Sequence, residues 1–294
     1  MDVHLVDGTY ELFRHFYGMP AESRSSSRLG AVRGVIDSVV YLLADGATHV
    51  GVATDHVIES FRNDLWPTYK SSAGMDQQIL AQFGPLEEAV AALGVHLWAM
   101  TELEADDAIA SAAAVAADDP AVDRVVILSP DKDLAQCVRG TRVVQVDRRQ
   151  GKEYDEAGVV AKFGVPPALI PDWLALVGDS ADGYPGLPGW GAKTAAAVLT
   201  AHGHLADIPD AAGQWEVTVR GAPKLAAVLA QGRDAANLFL DLATLRVDRS
   251  LLGSVDELTW TGPGPGFRTL AERLGAPQLA DRAAAVARRR RPGE

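Results

Sequence analysis

Carboxylates recur in this sequence in short clusters at the predicted ends of helices and strands. The densest is Glu104-Ala105-Asp106-Asp107, which opens an Ala-rich stretch of high helix propensity. Acids in a first helical turn complement the helix dipole, so ordinary capping is one explanation. Carboxylate oxygens are also the ligands that Mg²⁺ and Mn²⁺ prefer, so a divalent-cation site is the other. That second explanation requires further acids at the same edge of the fold.

Other acids follow predicted strands. Apolar runs at 3–6, 50–54 and 125–128 lead into Asp7, Asp55 and Asp131-Lys132-Asp133. An open α/β sheet gathers its functional groups at the carboxyl ends of its strands. Helical patterns separate these runs, and 143–146 and 153–154 resemble later edge strands. The alternation predicts an α/β fold with a mainly parallel central sheet and helices on both faces.

Beyond residue 165 the strand pattern stops, and a helical region follows. A helix through Trp173 to Val177 ends in Gly178-Asp179-Ser180-Ala181-Asp182, and a Pro/Gly-rich hairpin then leads to a second helix near Lys193. A glycine-rich turn opening a helix leaves backbone N–H groups free for a phosphate. A plain helix-helix turn with glycine caps explains the same residues equally well.

Composition limits the class of protein. The chain has 294 residues, 48% of them hydrophobic, which suits one large globular domain or two. A single cysteine, Cys137, excludes an intrachain disulfide framework. We see no signal peptide and no long uncharged apolar run, so we expect a cytoplasmic protein with no membrane partner. The net charge of -12 argues against nucleic acid unless clustered acids hold cations.

Five motifs, taken in order, resemble the bacterial flap endonuclease and 5′-3′ exonuclease family, which includes the 5′ nuclease domain of DNA polymerase I. They are Leu5-Val6-Asp7-Gly8 with Phe13-Arg14; Asp55 with Phe61-Arg62 and Tyr69-Lys70; Glu104-Ala105-Asp106-Asp107; Asp131-Lys132-Asp133-Leu134; and Gly178-Asp179-Ser180-Ala181-Asp182 with Pro185-Gly186-Leu187-Pro188-Gly189-Trp190-Gly191-Ala192-Lys193-Thr194-Ala195. The resemblance covers roughly residues 3 to 245. It implies a PIN-like nuclease fold followed by a helix-hairpin-helix (H3TH) region.

The resemblance also implies a site with two divalent cations, Mg²⁺ or Mn²⁺, and phosphodiester hydrolysis by two-metal catalysis. Its metal ligands would be Asp7, Asp55, Glu104, Asp106, Asp107, Asp131, Asp133, Asp179 and Asp182. Lys70 and Arg62 would contact the scissile phosphate, and Tyr69 would stack on a terminal base or else pack under its loop. Duplex DNA would be held by Gly186, Gly189, Gly191, Lys193 and Thr194, with K⁺ at the hairpin turn.

By the same resemblance, residues 1–165 form the nuclease core with an arch or clamp near 70–90, and 166–250 form a DNA-binding region that completes the active site. Beyond the resemblance, we expect residues 251–294 to form a C-terminal segment. Its basic end, Arg288 to Arg291, and the polar stretch 21–28 are predicted to be mobile. Family members usually carry an arginine where this chain has Ala73, and the segment that follows is poor in cations. The grip on a flap is therefore expected to be weaker or differently arranged.

The expected function is a structure-specific 5′ nuclease of replication and repair that acts as a monomer on flaps, nicks, 5′ ends or RNA-DNA hybrids. Two alternatives stay open. One is a nucleic-acid-binding module of the same fold with little or no activity. The other is a phosphatase of the haloacid dehalogenase type, which Asp7-Gly8-Thr9 after a strand also resembles. Leu5 stands where that class has its nucleophilic aspartate.

Overall fold

A computed structural model describes residues 1–26 and 28–290. Within them the strands are β1 (Asp2–Asp7), β2 (His49–Asp55), β3 (His96–Met100), β4 (Arg124–Leu128), β5 (Val143–Asp147) and β6 (Lys152–Tyr154). The helices are α1 (Gly8–Gly18), α2 (Ala21–Ser26), α3 (Gly30–Ala44), α4 (Phe61–Leu65), α5 (Gln77–Leu80), α6 (Phe83–Leu93), α7 (Ala105–Asp118), α8 (Glu156–Phe163), α9 (Ile170–Val177), α10 (Ala192–His202), α11 (Ala222–Gln231), α12 (Arg233–Ala243), α13 (Phe267–Arg273) and α14 (Gln278–Arg290).

The chain divides into two compact units. The first unit comprises Met1–Ile58, Ser72–Ser129 and Val247–Glu294, and the second comprises Glu59–Ser71 and Pro130–Arg246. Neither unit is one continuous stretch of sequence.

Four parallel strands in the order β3-β2-β1-β4 form the sheet of the first unit. Six consecutive residues of β2 are buried, which is typical of a parallel strand covered on both faces. Helix α7 packs on all four strands, α1 packs on α3 and β2, and the C-terminal helices α13 and α14 pack on α6 and α3. All four strands therefore end at one edge, where Asp7 and Asp55 lie.

Helices dominate the second unit. Their shared core includes Trp173, Leu174 and Phe239, with α9 packed against both α10 and α12. Strands β5 and β6 form an antiparallel pair in which Gln145 lies opposite Tyr154. The loop between α9 and α10 carries two of the predicted metal ligands, Asp179 and Asp182.

The predicted fold class is confirmed, with mostly parallel strands between helices and a helical region after them. Two local predictions are wrong. Residues 21–26 form α2 rather than a mobile loop, while residue 27 lies outside the described residues. Arg288 to Arg290 form the last turn of α14, because Leu279, Ala283 and Val286 bury one face of that helix. Arg291 lies outside the described residues.

Residues 77–93 form two helices, α5 and α6, which are separated at residues 81–82, and Gly84-Pro85 lie just after the start of α6. Proline and glycine are tolerated there because they occupy the first turn of α6, where N–H groups have no partner within the helix. In the described part of the chain no single helix meets the length and hydropathy expected of a membrane span. The bent pair Glu156–Phe163 and Pro167–Val177 meets them only when taken together.

Candidate metal centre

Asp7 and Asp55 lie at the carboxyl ends of neighbouring parallel strands in the first unit. Asp7 also caps α1, since its Oδ1 accepts the Tyr10 N–H at 2.7 Å, and its Oδ2 accepts the Ser129 hydroxyl at 2.8 Å. The Asp55 N–H donates to Thr9 Oγ1 at 2.9 Å. Each of the two aspartates is 5% exposed, so both carboxylates are held in fixed positions at the sheet edge.

Gly8 allows α1 to start this close to β2. A Cβ at this position would lie 2.8 Å from the Ala53 carbonyl oxygen and equally close to side-chain carbons of Val52 and Thr54. Real Cβ atoms do not approach other atoms so closely. The Asp-Gly pair after β1 therefore has a packing reason in addition to any chemical one.

The Glu104–Asp107 cluster caps α7 and also joins the sheet edge. Glu104 is the N-cap, and its N–H donates to Asp107 Oδ2 at 2.9 Å in a reciprocal capping box. The next N–H, of Ala105, donates to Asp55 Oδ1 at 2.8 Å. Glu104 and Asp107 are buried, and Asp106 is half-buried. Capping and a cation site are thus compatible, because each carboxylate has a second oxygen.

In the second unit three acids converge. Asp133 begins the short 3-10 helix Asp133–Cys137, whereas Asp179 and Asp182 lie on the loop after α9. One carboxylate oxygen from each of the three lies within 4.8 Å of the others. Asp133 and Asp179 are 4% and 2% exposed, which makes three negative charges at this spacing unfavourable without a cation.

The electrostatics of Asp133 reflect that crowding. Burial raises the pKa of the Asp133 carboxyl well above its ordinary value, and the charges of Asp182, Asp131 and Asp179 raise it further, while Lys70 opposes them. Its Oδ1 is buried and has no hydrogen-bond partner among the described residues. An acid with an unpartnered buried oxygen is a suitable donor for a metal ion.

Lysine ammonium groups lie against the same acids. Lys132 Nζ contacts Asp179 Oδ2, and Lys70 Nζ lies 3.9 Å from Asp182 Oδ1. The Lys70 main chain is held as well, because its N–H donates to the Asp182 carbonyl at 3.0 Å.

Asp131 is not one of the three converging acids; it is exposed, and its Oδ1 accepts the Asp133 N–H at 3.0 Å.

The donor set fits a hard divalent cation. It consists of carboxylate oxygens only, with no histidine or cysteine in the cluster. The two lysines supply positive charge at the positions where a cation would be attracted. The cluster is therefore chemically suited to Mg²⁺ or Mn²⁺.

Arg62 does not occupy the position that the motif implied. Its side chain is 1% exposed, and its guanidinium donates to the main-chain carbonyls of Leu242 at 2.8 Å and Thr244 at 3.2 Å. The same group lies over the Phe61 ring, 4.7 Å from its centroid. A guanidinium enclosed in this way joins α4 to the end of α12 and cannot reach a phosphate, so the predicted contact is corrected to a structural one.

Tyr69 also differs from its predicted role. The residue is 3% exposed and belongs to the core of the second unit, so the structure matches the packing alternative rather than an open stacking surface. Its carbonyl accepts the Asn63 side-chain N–H at 3.4 Å, as the Lys70 carbonyl does at 3.1 Å. Tyr69 thereby helps to hold Lys70 beside Asp182.

The predicted DNA-binding residues divide into two kinds. Gly186 is buried at φ +65°, and a Cβ on it would lie 2.3 Å from the Gly178 nitrogen, so its role is a close approach of backbones. Gly189, Gly191 and Lys193 are exposed, and Thr194 is half-buried. Gly191 is the N-cap of the 11-residue α10, which places Lys193 in the first turn of that helix.

Two residues of the cluster were not predicted. Lys132 was visible between two acids, a position that could have suggested an internal cation. Tyr184 pairs with Asp179 through main-chain hydrogen bonds of 3.0 and 3.1 Å, which close the acidic loop. Burial, together with the acids around it, raises the pKa of the Tyr184 hydroxyl, which has no hydrogen-bond partner among the described residues.

Two family models match the chain. The model of the 5'-3' exonuclease, N-terminal resolvase-like domain, matches residues 2–164, and that of the 5'-3' exonuclease, C-terminal SAM fold, matches residues 165–265. DNA polymerase I of Pseudomonas aeruginosa is 38% identical over 260 residues, covering 86% of this chain and 28% of that protein. DNA polymerase I of Bacillus subtilis is 30% identical over 287 residues, covering 92% and 32%. The chain spans about a third or less of these relatives.

Solved structures show the same fold. T5 5'-exonuclease with bound zinc superposes with a TM-score of 0.66 at 18% identity, covering 98% of this chain and 99% of that one. The catalytic core of Rad2 in complex with DNA substrate superposes with a TM-score of 0.62 at 16% identity, covering 96% and 91%. The two family models and the DNA polymerase I relatives confirm the resemblance that the five motifs predicted. The chain belongs to the 5'-3' exonuclease family.

Proposed function

We propose that this protein is a divalent-cation-dependent 5′ nuclease that hydrolyses phosphodiester bonds of DNA. The observation that carries the proposal is the convergence of Asp133, Asp179 and Asp182 within 4.8 Å, with Asp133 and Asp179 almost completely buried. A cluster of this kind is costly to fold unless it binds cations. Membership of the 5'-3' exonuclease family makes nuclease chemistry the favoured use.

The proposed cation ligands form two groups, one in each unit. Asp7, Asp55, Glu104, Asp106 and Asp107 would hold one cation, and Asp133, Asp179 and Asp182 another, with Asp131 supporting Asp133. Divalent cations at a phosphodiester supply an activated water and neutralise the charge that grows on the phosphoryl group and on the departing oxygen. That T5 5'-exonuclease binds divalent metal ions supports this assignment.

The residues of the chain itself have separate tasks in this proposal. Lys70, which is half-buried and held beside Asp182, would contribute positive charge to the scissile phosphate. The exposed N-terminus of α10, with Gly189, Gly191, Lys193 and Thr194, would bind duplex backbone without reading bases, and K⁺ could assist at that turn. Lys132 would leave Asp179 when a cation binds.

The substrates proposed are 5′ flaps, nicks and 5′ ends, including RNA-DNA hybrids such as primers, in replication and repair. The Rad2 catalytic core bound to a DNA substrate supports a DNA partner. We also propose that the protein is a monomer. We place it in the cytoplasm, since a single cysteine fits a reducing compartment.

End-labelled flap, nicked, blunt and single-stranded DNA incubated with and without Mn²⁺ tests the proposal, with Asp179→Asn as the matched inactive variant. A discrete product at the junction would show structure-specific cutting, and mononucleotides alone would show exonuclease action. Absence of any metal-dependent product from the wild type would reject nuclease function. It would leave the nucleic-acid-binding module, which gel shifts of the same substrates would detect.

A further inference from the structure

The segment that ends at Lys70 is hydrogen-bonded to the 178–186 loop of the second unit. The indole N–H of Trp66 donates to the Gly183 carbonyl at 3.0 Å, and the Thr68 hydroxyl donates to the same oxygen at 3.3 Å. The Lys70 N–H donates to the carbonyl of the preceding loop residue, Asp182, at 3.0 Å. Two adjacent carbonyls of the loop therefore accept donors from one short segment.

Gly183 allows the segment and the loop to approach this closely. Its φ is +82°, a left-handed backbone conformation that glycine adopts without strain. A Cβ at this residue would lie 2.2 Å from the Thr68 carbonyl oxygen, so a side chain here would push the two stretches apart. The contact therefore depends on glycine at position 183.

Packing on Phe239 of α12 directs the Trp66 indole toward the loop. The Trp66 and Phe239 rings meet edge-on with their centroids 5.4 Å apart, and the Tyr184 ring stacks on Phe239 at 5.6 Å. Phe239 is 3% exposed, and Tyr184 is the neighbour of Gly183 in the loop. One buried ring thus contacts both the donor side and the acceptor side of the Trp66 hydrogen bond.

The Lys70 side chain has a weaker contact with the loop than its main chain has. Its Nζ lies 3.9 Å from Asp182 Oδ1, which is long for an ion pair. A divalent cation on the Asp182 carboxylate would repel the ammonium, because both are positive. The carbonyls of Asp182 and Gly183 are neutral acceptors, so the hydrogen bonds from Lys70 and Trp66 do not depend on that ion pair.

We propose that Trp66 is a positioning residue for Lys70. By holding the Gly183 carbonyl it keeps the Lys70 main chain against the loop, so that the ammonium stays at the scissile phosphate when cations occupy the acids. The inference rests on the nuclease function proposed above. It extends that function to a half-buried residue that acts on Lys70 through the loop main chain.

Single-turnover cleavage of a 5′ flap duplex in saturating Mn²⁺ tests this role with Trp66→Phe. The substitution keeps a ring on Phe239 and removes the N–H, so it should lower the maximal rate about 3–10-fold and leave duplex affinity in EDTA nearly unchanged. In a Lys70→Gln background it should have no further effect, because the residue that it positions has been removed. Trp215→Phe is the matched control.

The control variant loses a bond of the same kind in the same unit. The Trp215 indole N–H donates to the Pro209 carbonyl at 2.8 Å, and its residue belongs to the core of the second unit. Trp215→Phe should therefore cleave at the wild-type rate. A decrease equal to that of Trp66→Phe would show a general effect of losing an indole hydrogen bond and would overturn the proposal.

Hydrogen exchange of the Lys70 amide gives a readout that does not depend on cleavage. This amide should exchange about 3–10-fold faster in Trp66→Phe than in the wild type, in EDTA and in Mn²⁺, because its acceptor Asp182 lies next to the released Gly183. Thr68→Val removes the second donor to Gly183 at an exposed residue, so it tests the same contact should Trp66→Phe not fold. It should act in the same direction by about twofold.

Three results would overturn the role of Trp66. They are an unchanged Lys70 amide exchange rate, an unchanged maximal cleavage rate, and an equal loss of rate in the wild-type and Lys70→Gln backgrounds. If the wild type cleaves flaps and any of these is found, only the Trp66 assignment fails. If the wild type cleaves nothing in Mn²⁺, the nuclease function itself fails, and the catalytic role of Trp66 fails with it.

Discussion

Lys132 Nζ contacts Oδ2 of Asp179, one of the three acids that converge in the second unit. Asp179 is 2% exposed, whereas the Lys132 side chain is 39% exposed. The ammonium therefore neutralises a buried carboxylate from the solvent side. A divalent cation at the cluster would have to compete with it.

Lys132→Gln should destabilise the metal-free protein and increase the stabilisation gained from Mn²⁺. Removal of the ammonium leaves Asp179 unpaired; the cost should be about 1–2 kcal/mol, below that of a fully buried pair because Lys132 is partly solvated. Urea unfolding in EDTA and in Mn²⁺ measures both effects. Lys224→Gln, at an exposed helical lysine, should change neither. If Lys132→Gln and Lys224→Gln were equally stable in EDTA, Lys132 would not be stabilising Asp179, and a divalent cation would have no ammonium to compete with.

Asp133 should make a contribution to the stability of the metal-free protein that is lost as pH rises. Because the pKa of Asp133 is raised in the folded state, the folded protein holds this proton after the unfolded chain has released it, above about pH 3.9. The contribution of Asp133 is fully present below that pH and is lost as pH rises through its folded pKa. As pH rises above about 3.9, unfolding midpoints in EDTA should therefore fall for the wild type relative to those of Asp133→Asn. Parallel pH profiles would show that Asp133 does not carry this proton.

Asp179 and Asp131 should differ in their effect on metal binding. Asp179 belongs to the converging trio, whereas Asp131 supports it by accepting the Asp133 N–H, which an asparagine oxygen can also accept. Asp179→Asn should weaken Mn²⁺ binding by more than about a hundredfold, Asp131→Ala by about 10–100-fold, and Asp131→Asn by less. Titration calorimetry with Mn²⁺ gives the three affinities. Equal weakening in Asp131→Asn and Asp179→Asn would make Asp131 a direct ligand.

Parts of this site were predictable because parallel strands impose a common edge. Once alternating apolar runs predict such a sheet, the aspartates at the ends of β1 and β2 must lie at the same edge on neighbouring strands. The register places Asp7 opposite Ala53, two residues before Asp55. The capping role and the candidate ligand role of Glu104 also follow from one local pattern. These inferences depend only on neighbours in sequence or on regular pairing.

Interactions between residues far apart in the sequence were not predictable. Arg62 bonds to carbonyls 180 and 182 residues away, and no pattern near Arg62 distinguishes a buried structural arginine from one facing a phosphate. The burial of Tyr69 depends likewise on helices that follow much later in the sequence. The Lys132 interaction depends on the fold of the 178–186 loop. A motif match supplies residue types, whereas the direction of each side chain depends on tertiary packing.

Arg62→Ala should lower the free energy of unfolding of the protein. The guanidinium is buried and donates to two main-chain carbonyls, so its removal leaves those carbonyls unpaired and opens a cavity. We expect a decrease of about 3 kcal/mol or more in the free energy of unfolding. Thermal and urea unfolding measure this, with exposed Arg220→Ala as the control. If Arg62→Ala were as stable as the wild type and only its cleavage rate fell, Arg62 would instead act on the phosphate.

Gly186→Ala should disrupt the loop that carries Asp179 and Asp182, although neither acid is replaced. The new Cβ would lie 2.3 Å from the Gly178 nitrogen at a residue whose φ is +65°, so overlap and backbone strain both oppose it. We expect a cost of about 3 kcal/mol or more, together with weaker Mn²⁺ binding, because Gly178 immediately precedes Asp179. Gly213→Ala is the matched control, since its Cβ would meet nothing within 4 Å. If both variants bound Mn²⁺ as the wild type does, the close approach of Gly178 and Gly186 could not be what positions Asp179.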